Sequence, residues 1–386
     1  MYWFVLGREF KLSIAEILTV FNKTKTVYFD RNILILDNLE ENELLTKINN
    51  LWWVIKVTKI INQDNDIKNI IIENWVNHDW KFKYWLNLYW NNKWLKIKLL
   101  NIKKDLKANK VSSRFVNKDF KNLSSAQILG EKLIERKSDY NSIILDNIVY
   151  NWITIWTQNI DSYSKRDYSK DRDMNVGMLP PKLSQMMINI SEWKVIYDPF
   201  VWLWTILIES LLMWNKEIYW SDLSQRMVDT SYTNIDKVIK EYKLKDIKLN
   251  IFNQNSKYIS EIDLFDNTNI DSIVSEWYLW EVMTQKNISQ DRINIQKWNL
   301  LDLYNWFFTW LKELNYKWNI VISFPFWKIK WKYIFFDEIY ELLEDLCEIQ
   351  ELLPEWFKHL KTKKWSLLYK RDKQLVWREI FKLKMK

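Results

Sequence analysis

The spacing of apolar and polar residues changes part-way along the chain. From about residue 179, short apolar runs alternate with longer stretches in which apolar residues recur every three or four positions. Short apolar runs are typical of buried strands, and the spacing of three or four is typical of helices. Strands that alternate with helices favour a doubly wound, mostly parallel sheet of the α/β class.

This second part of the chain is predicted to contain alternating helices and strands with short connections. In chain order they are helix 180–191, strand 194–198, helix 204–213, strand 216–221, helix 233–242, strand 259–264, strand 271–275, helix 299–315, strand 318–324 and helix 337–347. No repeat of 20 to 50 residues interrupts the order, which excludes a repeat protein.

The first part of the chain contains shorter stretches whose pattern predicts strands and helices. A strand over residues 2–6 leads to a helix that we expect to begin at Ser13, because Ser13 and Glu16 have the spacing of a capping box. Residues 80–90 alternate as a strand does, and residues 123–135 have helical spacing. These signals indicate an α+β fold for this part.

A polar stretch without apolar spacing, residues 161–178, is predicted to be a linker. It follows that the chain divides into an α+β domain over residues 1–60, a second domain over 61–168 and an α/β domain over 169–386. A chain of 386 residues is long enough for two or three such domains.

The composition is unusual in two residue types. The chain has 26 tryptophans and 3 glycines, whereas average usage would give roughly 27 glycines. Many tryptophans lie among turn-forming residues, where glycine is common. Examples are Trp152 and Trp156 in N-W-I-T-I-W-T-Q, Trp214 in M-W-N-K, and Trp220 in Y-W-S-D. These are turn contexts, while tryptophan normally lies half buried in a core or an interface.

We hypothesise that most of these positions are glycine in the living source. Some bacterial lineages read the codon UGA as glycine, and another common code reads it as tryptophan. The alternative is a protein that is truly rich in tryptophan. UGG codons at positions 202 and 204 would favour that alternative.

Charge and cysteine content narrow the class of protein. The net charge of +8 favours an anionic partner, nucleic acid first, although AT-rich coding also enriches lysine. The single cysteine, Cys347, cannot form an internal disulfide, and the amino terminus lacks a signal-peptide pattern. We expect a cytoplasmic protein with no membrane helix. We also expect no metal, because His78 and His359 form no ligand cluster.

Acidic residues follow three of the predicted strands. Asp198 ends the first strand, Asp222 ends the next, and Asp266 follows a third. In an open parallel sheet the ligand lies at the carboxyl ends of the strands. An acid about 20 residues past a glycine turn can accept hydrogen bonds from ribose hydroxyls, and Asp266 could meet an adenine amine. With glycine at 202 and 204, the first turn would be such a turn.

The turn D-P-F-V-W-L-W-T, residues 198–205, resembles the D-P-F-C-G-S-G-T motif of RNA guanine-N2 methyltransferases. With glycine in place of Trp202 and Trp204, it is identical at six of eight positions. The resemblance implies a Rossmann-like domain that binds S-adenosylmethionine. It assigns cofactor binding to these residues: Asp198, Phe200, Trp202, Trp204, Thr205, Asp222 and Asp266. With tryptophan at 202 and 204, we expect the cofactor cleft to be partly filled.

The resemblance covers nearly the whole chain. Residues 1–16, 113–119 and 123–127 are similar to the amino-terminal and THUMP segments of THUMP-containing tRNA guanine methyltransferases. M-L-P-P-K-L-S-Q-M-M-I-N-I (178–190) and L-V-W-R-E-I (375–380) are similar to their catalytic domain. That family implies a Rossmann-like methyltransferase domain, preceded by an α+β and THUMP region, that methylates the N2 amine of a guanine in tRNA.

The fourth motif departs from this family. Base-amine methyltransferases usually show (D/N/S)-P-P-(Y/F) after the fourth strand, whereas this chain has Ser275-Glu276-Trp277-Tyr278. Glu276 could accept a hydrogen bond from the amine, Tyr278 could stack on a flipped base, and Ser275 could assist. The missing prolines leave two alternatives: an active variant, or an RNA-binding THUMP protein with a degenerate, inactive methyltransferase domain.

Basic residues cluster between Lys93 and Lys121 and again from Lys358 to Lys386. Cationic surfaces with aromatic residues suit phosphate contacts, although each cluster is also compatible with a solvated face. We assign RNA binding to Arg114, Lys118 and Lys182, with tRNA as the partner. An amine methyltransferase that acts on DNA stays an alternative at this stage.

Overall fold

The computed structural model describes most of the chain, in two compact units. The first contains Met1–Ser13, Lys23–Asn49 and the described residues from 53 to 159; the second contains Ile14–Asn22, Asn50–Trp52 and the described residues from 179 onward. The described residues are 1–63, 66–75, 81–89, 92–159, 179–192, 195–200, 204–222, 224–253, 270–276, 283–284, 286–371 and 374–386. The predicted linker, the predicted strand 259–264 and the site residues Trp202, Asp266 and Tyr278 lie outside them.

The described residues form helices and strands that alternate through the second unit. The helices are α1 (Phe10–Val20), α2 (Glu41–Lys47), α3 (Ile67–Asn74), α4 (Leu95–Ala108), α5 (Ser125–Gly130), α6 (Pro181–Ile190), α7 (Thr205–Leu212), α8 (Gln225–Tyr242), α9 (Gln290–Glu313) and α10 (Asp337–Leu346). The strands of the first unit are β1 (Tyr2–Leu6), β2 (Lys25–Phe29), β3 (Ile33–Asp37), β4 (Val54–Gln63), β5 (Phe82–Leu88), β6 (Ser113–Phe115), β7 (Asp139–Leu145) and β8 (Ile148–Thr157). Those of the second unit are β9 (Ile196–Asp198), β10 (Glu217–Asp222), β11 (Lys248–Asn253), β12 (Ser272–Glu276), β13 (Asn319–Ile329), β14 (Lys332–Ile334), β15 (Cys347–Gln350), β16 (Leu367–Tyr369) and β17 (Val376–Met385).

The first unit contains an eight-stranded mixed sheet in the order β2-β3-β1-β4-β8-β7-β5-β6. The strand pairs are antiparallel except β5 with β6 and β5 with β7. Residues of α4, including Leu99 and Ile102, pack against Tyr84 and Leu86 of β5 in one apolar cluster. Strands from both predicted amino-terminal domains lie in this one sheet, and the boundaries at residues 60 and 168 stay predictions.

Two expectations for the first part of the chain were wrong. Helix α1 begins at Phe10, so Ser13 lies inside it and does not cap it. The buried Ser13 hydroxyl donates to the Trp53 carbonyl at 3.2 Å, and Glu16 accepts the Trp52 backbone N–H at 3.2 Å. These tertiary contacts replace the expected capping box.

The predicted helix 123–135 is shorter than its apolar spacing indicated. Helix α5 ends at Gly130, and Lys132 and Lys137 follow with positive φ, a backbone conformation that no helix contains. A true capping box starts this helix: Ser124 accepts the Gln127 backbone N–H, and the Gln127 side chain accepts the Ser124 backbone N–H.

The second unit contains a nine-stranded sheet whose main path runs β11-β10-β9-β12-β13-β17-β15. The first five of these strands are parallel, and β17 is antiparallel to β13 and to β15. Numbered along the chain, the parallel strands have the order 3-2-1-4-5 of a doubly wound sheet. The order reverses between β9 and β12, which makes this the switch point of the sheet.

Helices cover both faces of this sheet because both faces of its strands are apolar. On one side, α9 and α10 pack through residues such as Tyr304 and Ile339. On the other, α7 and α8 pack on β10 through Leu207, Ile235 and Trp220. The switch point is thereby held in a three-layer α/β core.

The predicted elements of the second unit were correct in type wherever the structure describes them. Helix α8 begins at Gln225 and α9 at Gln290, both earlier than predicted, because polar residues fill their first turns. Strand β11 was missed: K-L-N-I-F-N pairs in parallel with β10 and supplies the third strand of the sheet.

Candidate functional site

The turn after β9 begins with Asp198, which is buried at the end of the strand. Its Oδ1 accepts the Phe200 backbone N–H at 3.1 Å, an Asx turn that closes the strand. Phe200 packs edge-on against Phe307 of α9, with ring centroids 5.6 Å apart. Thr205 is the first residue of α7. The structure therefore places these three predicted residues in one strand–turn–helix connection.

Trp204 precedes α7 in a left-handed backbone conformation, with φ of 45°. A bulky side chain at positive φ is an outlier, whereas glycine adopts this conformation without strain. The side chain is buried in the apolar cluster that contains Leu207, Ile218 and Trp220. The backbone at residue 204 thus has a conformation typical of glycine.

Ser275 of β12 lies against Asp198. Its hydroxyl donates to Asp198 Oδ1 at 2.7 Å, and both side chains are buried. Burial raises the pKa of Asp198 to about 7, against the opposing effect of the hydrogen bonds from Ser275 and Phe200. The charges of Asp222 and Glu276 add to the rise, so the three carboxyl groups share one electrostatic environment.

Asp222 ends β10, the neighbour of β9 in the sheet. Trp220 is level with Asp198 in the parallel register, so Asp222 lies two residues further toward the carboxyl edge. Its Oδ1 accepts the Ser224 backbone N–H at 2.8 Å, a second Asx turn beside the first. The side chain is half-buried, which leaves part of it open to a ligand.

Glu276 ends β12 on the other side of β9. Its Oε1 accepts a hydrogen bond from Nε of Arg378, and the two form an ion pair that is largely shielded from solvent. Burial raises the pKa of Glu276, and the Arg378 charge opposes that rise. Arg378 belongs to β17 and reaches Glu276 across β13, which pairs with both strands.

Arg378 is a residue of this site whose role was not predicted. Its segment, L-V-W-R-E-I, was noted only for its similarity to the catalytic domain of the THUMP-containing methyltransferases. Glu276 and Arg378 lie 102 positions apart, and β17, the antiparallel strand that carries Arg378, has no counterpart in the β-α-β pattern. The next residue, Glu379, is also buried and accepts hydrogen bonds from Tyr340 and Ser366.

The predicted RNA-binding residues lie in both units. Arg114 pairs with Glu131 at 2.6 Å, and Lys83 shares the same carboxylate. These two cations, Lys83 first, lower the pKa of Glu131. Lys118 is exposed, and Lys182 lies half-buried in the first turn of α6. Their contacts with RNA stay predictions.

Within the described ranges, no group of three or more His, Cys, Asp and Glu side chains is arranged to hold a metal ion. Across the same ranges, no helix combines the length and the apolar character that crossing a membrane requires.

Comparisons with known proteins identify the fold. No family model and no curated protein matches the chain. Among solved structures, TrmN from Thermus thermophilus has a TM-score of 0.50 and 10% sequence identity, and the match covers 100% of each chain. A possible methylase from Clostridium difficile 630 has a TM-score of 0.46 and 12% identity over 100% of this chain and 98% of that one. The likeness to TrmN confirms the predicted α/β, Rossmann-like fold class with an amino-terminal α+β region.

Proposed function

We propose that the chain is an S-adenosylmethionine-dependent RNA methyltransferase that modifies the N2 amine of a guanine in tRNA. The observation that carries the proposal is the position of Asp198, Asp222 and Glu276, which end three neighbouring parallel strands at the switch point. Ligands of open α/β sheets bind at this edge. The fold shared with TrmN and the sequence resemblance support the same function.

The described residues fit the cofactor in charge and hydrogen-bonding capacity. S-adenosylmethionine supplies an electrophilic methyl group on a positively charged sulfonium centre. Asp222 is placed to accept hydrogen bonds from the ribose hydroxyls, as acids at the end of the second strand do in dinucleotide sites. Above about pH 7, Asp198 supplies negative charge beside it, and Ser275 holds its side chain in place. Trp202 and Asp266 complete the proposed set.

The methyl acceptor is a weakly nucleophilic amine, so the chain must position it and accept its hydrogen as positive charge develops. Glu276 is the residue we assign to this task, with Tyr278 stacking on the extruded base. The ion pair with Arg378 favours the charged form of Glu276 and opposes the rise in its pKa that burial causes. Ser275 acts indirectly, through its hydrogen bond to Asp198.

Glycine at most tryptophan positions is part of this proposal, and backbone geometry supports it. Trp204, Trp214 and Trp365 all have positive φ. Trp214 follows α7 at the position where helices most often end with glycine. Its N–H donates to the Leu211 carbonyl at 3.0 Å, and the Asn215 N–H donates to the Ser210 carbonyl at 3.1 Å, as in a Schellman motif. Peptide mass spectrometry of the native protein at residues 202, 204 and 214 tests this directly, and tryptophan at all three would refute it.

Transfer of a labelled methyl group from S-adenosylmethionine to unmodified tRNA tests the function. The full chain from its own cells, or the chain with Trp202→Gly and Trp204→Gly, should label the tRNA. Asp198→Asn should abolish labelling and weaken cofactor binding at least roughly 10-fold, the loss of one charge-assisted contact. Asp246→Asn, at the amino end of β11, is the matched control and should change neither.

The alternative, an RNA-binding protein with an inactive methyltransferase domain, predicts a different result. Such a protein would bind tRNA with unchanged affinity in all these forms and would transfer no label. That outcome with glycine at both turn positions would overturn the proposed activity.

A further inference from the structure

A hairpin extends the sheet beyond the proposed site. Strand β12 ends at Glu276, level with Ser323 of β13, whereas β13 continues for six more residues to Ile329. It then turns through Lys330 and Trp331 into β14, which returns beside it. At about 3.3 Å per residue, Phe326 lies roughly 10 Å beyond the level of Glu276.

Aromatic rings and lysines meet on this extension. The Tyr333 ring lies 5.0 Å from the ring of Trp377 in β17. Lys370 Nζ lies 4.4 Å from the Tyr333 centroid and 5.2 Å from that of Trp377. Lys328 Nζ approaches the same two rings at 6.0 and 5.6 Å. We call Lys328, Lys370 and Tyr333 the hairpin surface.

Among the described residues, the hairpin surface has positive charges without nearby negative ones. Strands β13, β14 and β16 contain no acidic residue. In the part of the chain that the structure describes, neither Lys328 nor Lys370 has a carboxylate within ion-pair distance. Glu379 of β17 is buried and engaged by Tyr340 and Ser366, so it does not offset them. Lys330 and Lys332 add exposed positive charge at the tip of the hairpin.

Tyr333 is itself 41% exposed, so part of its side chain is accessible to a ligand. Trp331 and Trp377 are positions at which glycine is part of our proposal. The hairpin surface is therefore defined without them, and its three residues keep their chemistry in either case.

We propose that the hairpin surface binds single-stranded RNA next to the extruded base. The two lysines contact phosphates, and Tyr333 stacks on a neighbouring unpaired base. Proteins bind single-stranded nucleic acids with aromatic rings interleaved with cations, because every base has a face for stacking and every phosphate carries a negative charge. The inference rests on the proposed function, because RNA whose target base lies at Glu276 would come within reach of the hairpin surface.

Equilibrium binding of tRNA to the full chain at several salt concentrations tests the inference. Lys328→Ala with Lys370→Ala should weaken binding roughly 10-fold and reduce the slope of log affinity against log salt by about 1 to 2. The matched control, Lys312→Ala with Lys317→Ala, removes the same charge from exposed positions between the end of α9 and the start of β13 and should stay within about 2-fold.

Tyr333 is tested separately. Tyr333→Ala should weaken tRNA binding roughly 10-fold without changing the salt slope, and Tyr333→Phe should restore it, because stacking needs the ring and not the hydroxyl. Tyr232→Ala, on the exposed face of α8, is the control. Equal losses in the test and control variants, or no loss in either, would overturn the proposal and leave a protein partner as the occupant of this surface.

Cofactor binding, measured in the same variants, separates this inference from the proposed function. The hairpin variants, made in the chain with Trp202→Gly and Trp204→Gly, should bind S-adenosylmethionine as that chain does. If that chain binds no cofactor but the tRNA losses persist, the hairpin surface stands and the proposed function fails. If methyl transfer occurs and the tRNA losses are absent, the proposed function stands and the inference about the hairpin surface fails.

Discussion

At the scale of single residues, backbone conformation separates the tryptophans into two groups. Trp214 has φ of 74° and its side chain is 77% exposed, so no packing compensates its strain. A left-handed conformation costs a residue with a Cβ about 1–2 kcal/mol, and glycine avoids that cost. Trp214→Gly should therefore raise the free energy of unfolding by about 1 kcal/mol, measured by chemical denaturation.

Trp298 is the control for that measurement. It is also exposed, at 72%, but lies inside helix α9. Glycine in a helix interior is less favourable than tryptophan by about 0.5 kcal/mol, so Trp298→Gly should lower stability slightly. If both variants lose stability, the conformational argument for glycine at position 214 is wrong.

Asp198 gives a pH dependence of stability at the same scale. Its pKa is raised from 3.8 to about 7, so the folded chain binds a proton that the unfolded chain has lost. Stability from this group is therefore full below about pH 4, falls as pH rises toward about 7 and is flat above. Asp198→Asn should remove this component, seen as the difference between the two denaturation profiles. Identical slopes between about pH 4 and 7 would contradict the assignment.

At the scale of secondary-structure elements, the pair Glu276–Arg378 joins β12 to β17 across β13. Removing one member of a buried pair leaves an uncompensated charge. Arg378→Met should therefore lower the free energy of unfolding by about 3–5 kcal/mol at pH 8. Glu276→Gln combined with Arg378→Met should lose clearly less than the sum of the single changes. Additive losses would show that the pair is not coupled.

The apolar pattern predicted the elements of the second unit because each strand there is buried on both faces. It failed where a residue's partner is distant in sequence. Ser13 and Glu16 had the spacing of a capping box, yet contacts with Trp53 and Trp52 fixed them inside α1. Strand β11 was missed because its polar and apolar residues alternate over only six positions, too few to distinguish it from a loop.

In the site too, features set by neighbouring residues could be predicted from the sequence, and contacts between distant residues could not. Asp198 and Asp222 could be predicted, because a carboxylate at the end of a strand and the turn after it are local features of the chain. The hydrogen bond from Ser275 and the ion pair with Arg378 depend on strand order. The first requires that β12 pairs with β9 and the second that the antiparallel strand β17 pairs with β13, and apolar spacing along the chain predicts neither pairing.

At the scale of the whole molecule, the proposed function needs cations in both units. Lys118 and Lys121 are exposed on the first unit, whereas Arg114 shares Glu131 with Lys83. Lys118→Ala with Lys121→Ala should weaken tRNA binding roughly 10-fold and reduce its salt slope by about 1 to 2, with cofactor binding unchanged. Arg114→Ala is a poorer probe because it also removes one of the two cations that pair with Glu131. Full methyl transfer to tRNA by the double variant at low tRNA concentration would show that these two lysines do not hold the substrate.

We propose that this chain methylates the N2 amine of a tRNA guanine through the site at Asp198. Nucleoside analysis by mass spectrometry of tRNA from the native cells, with and without the gene, tests this activity. N2-methylguanosine should disappear from one tRNA position on deletion, return with the unmodified gene and stay absent with Asp198→Asn. An unchanged nucleoside profile after deletion, or full restoration by Asp198→Asn, would contradict the claim.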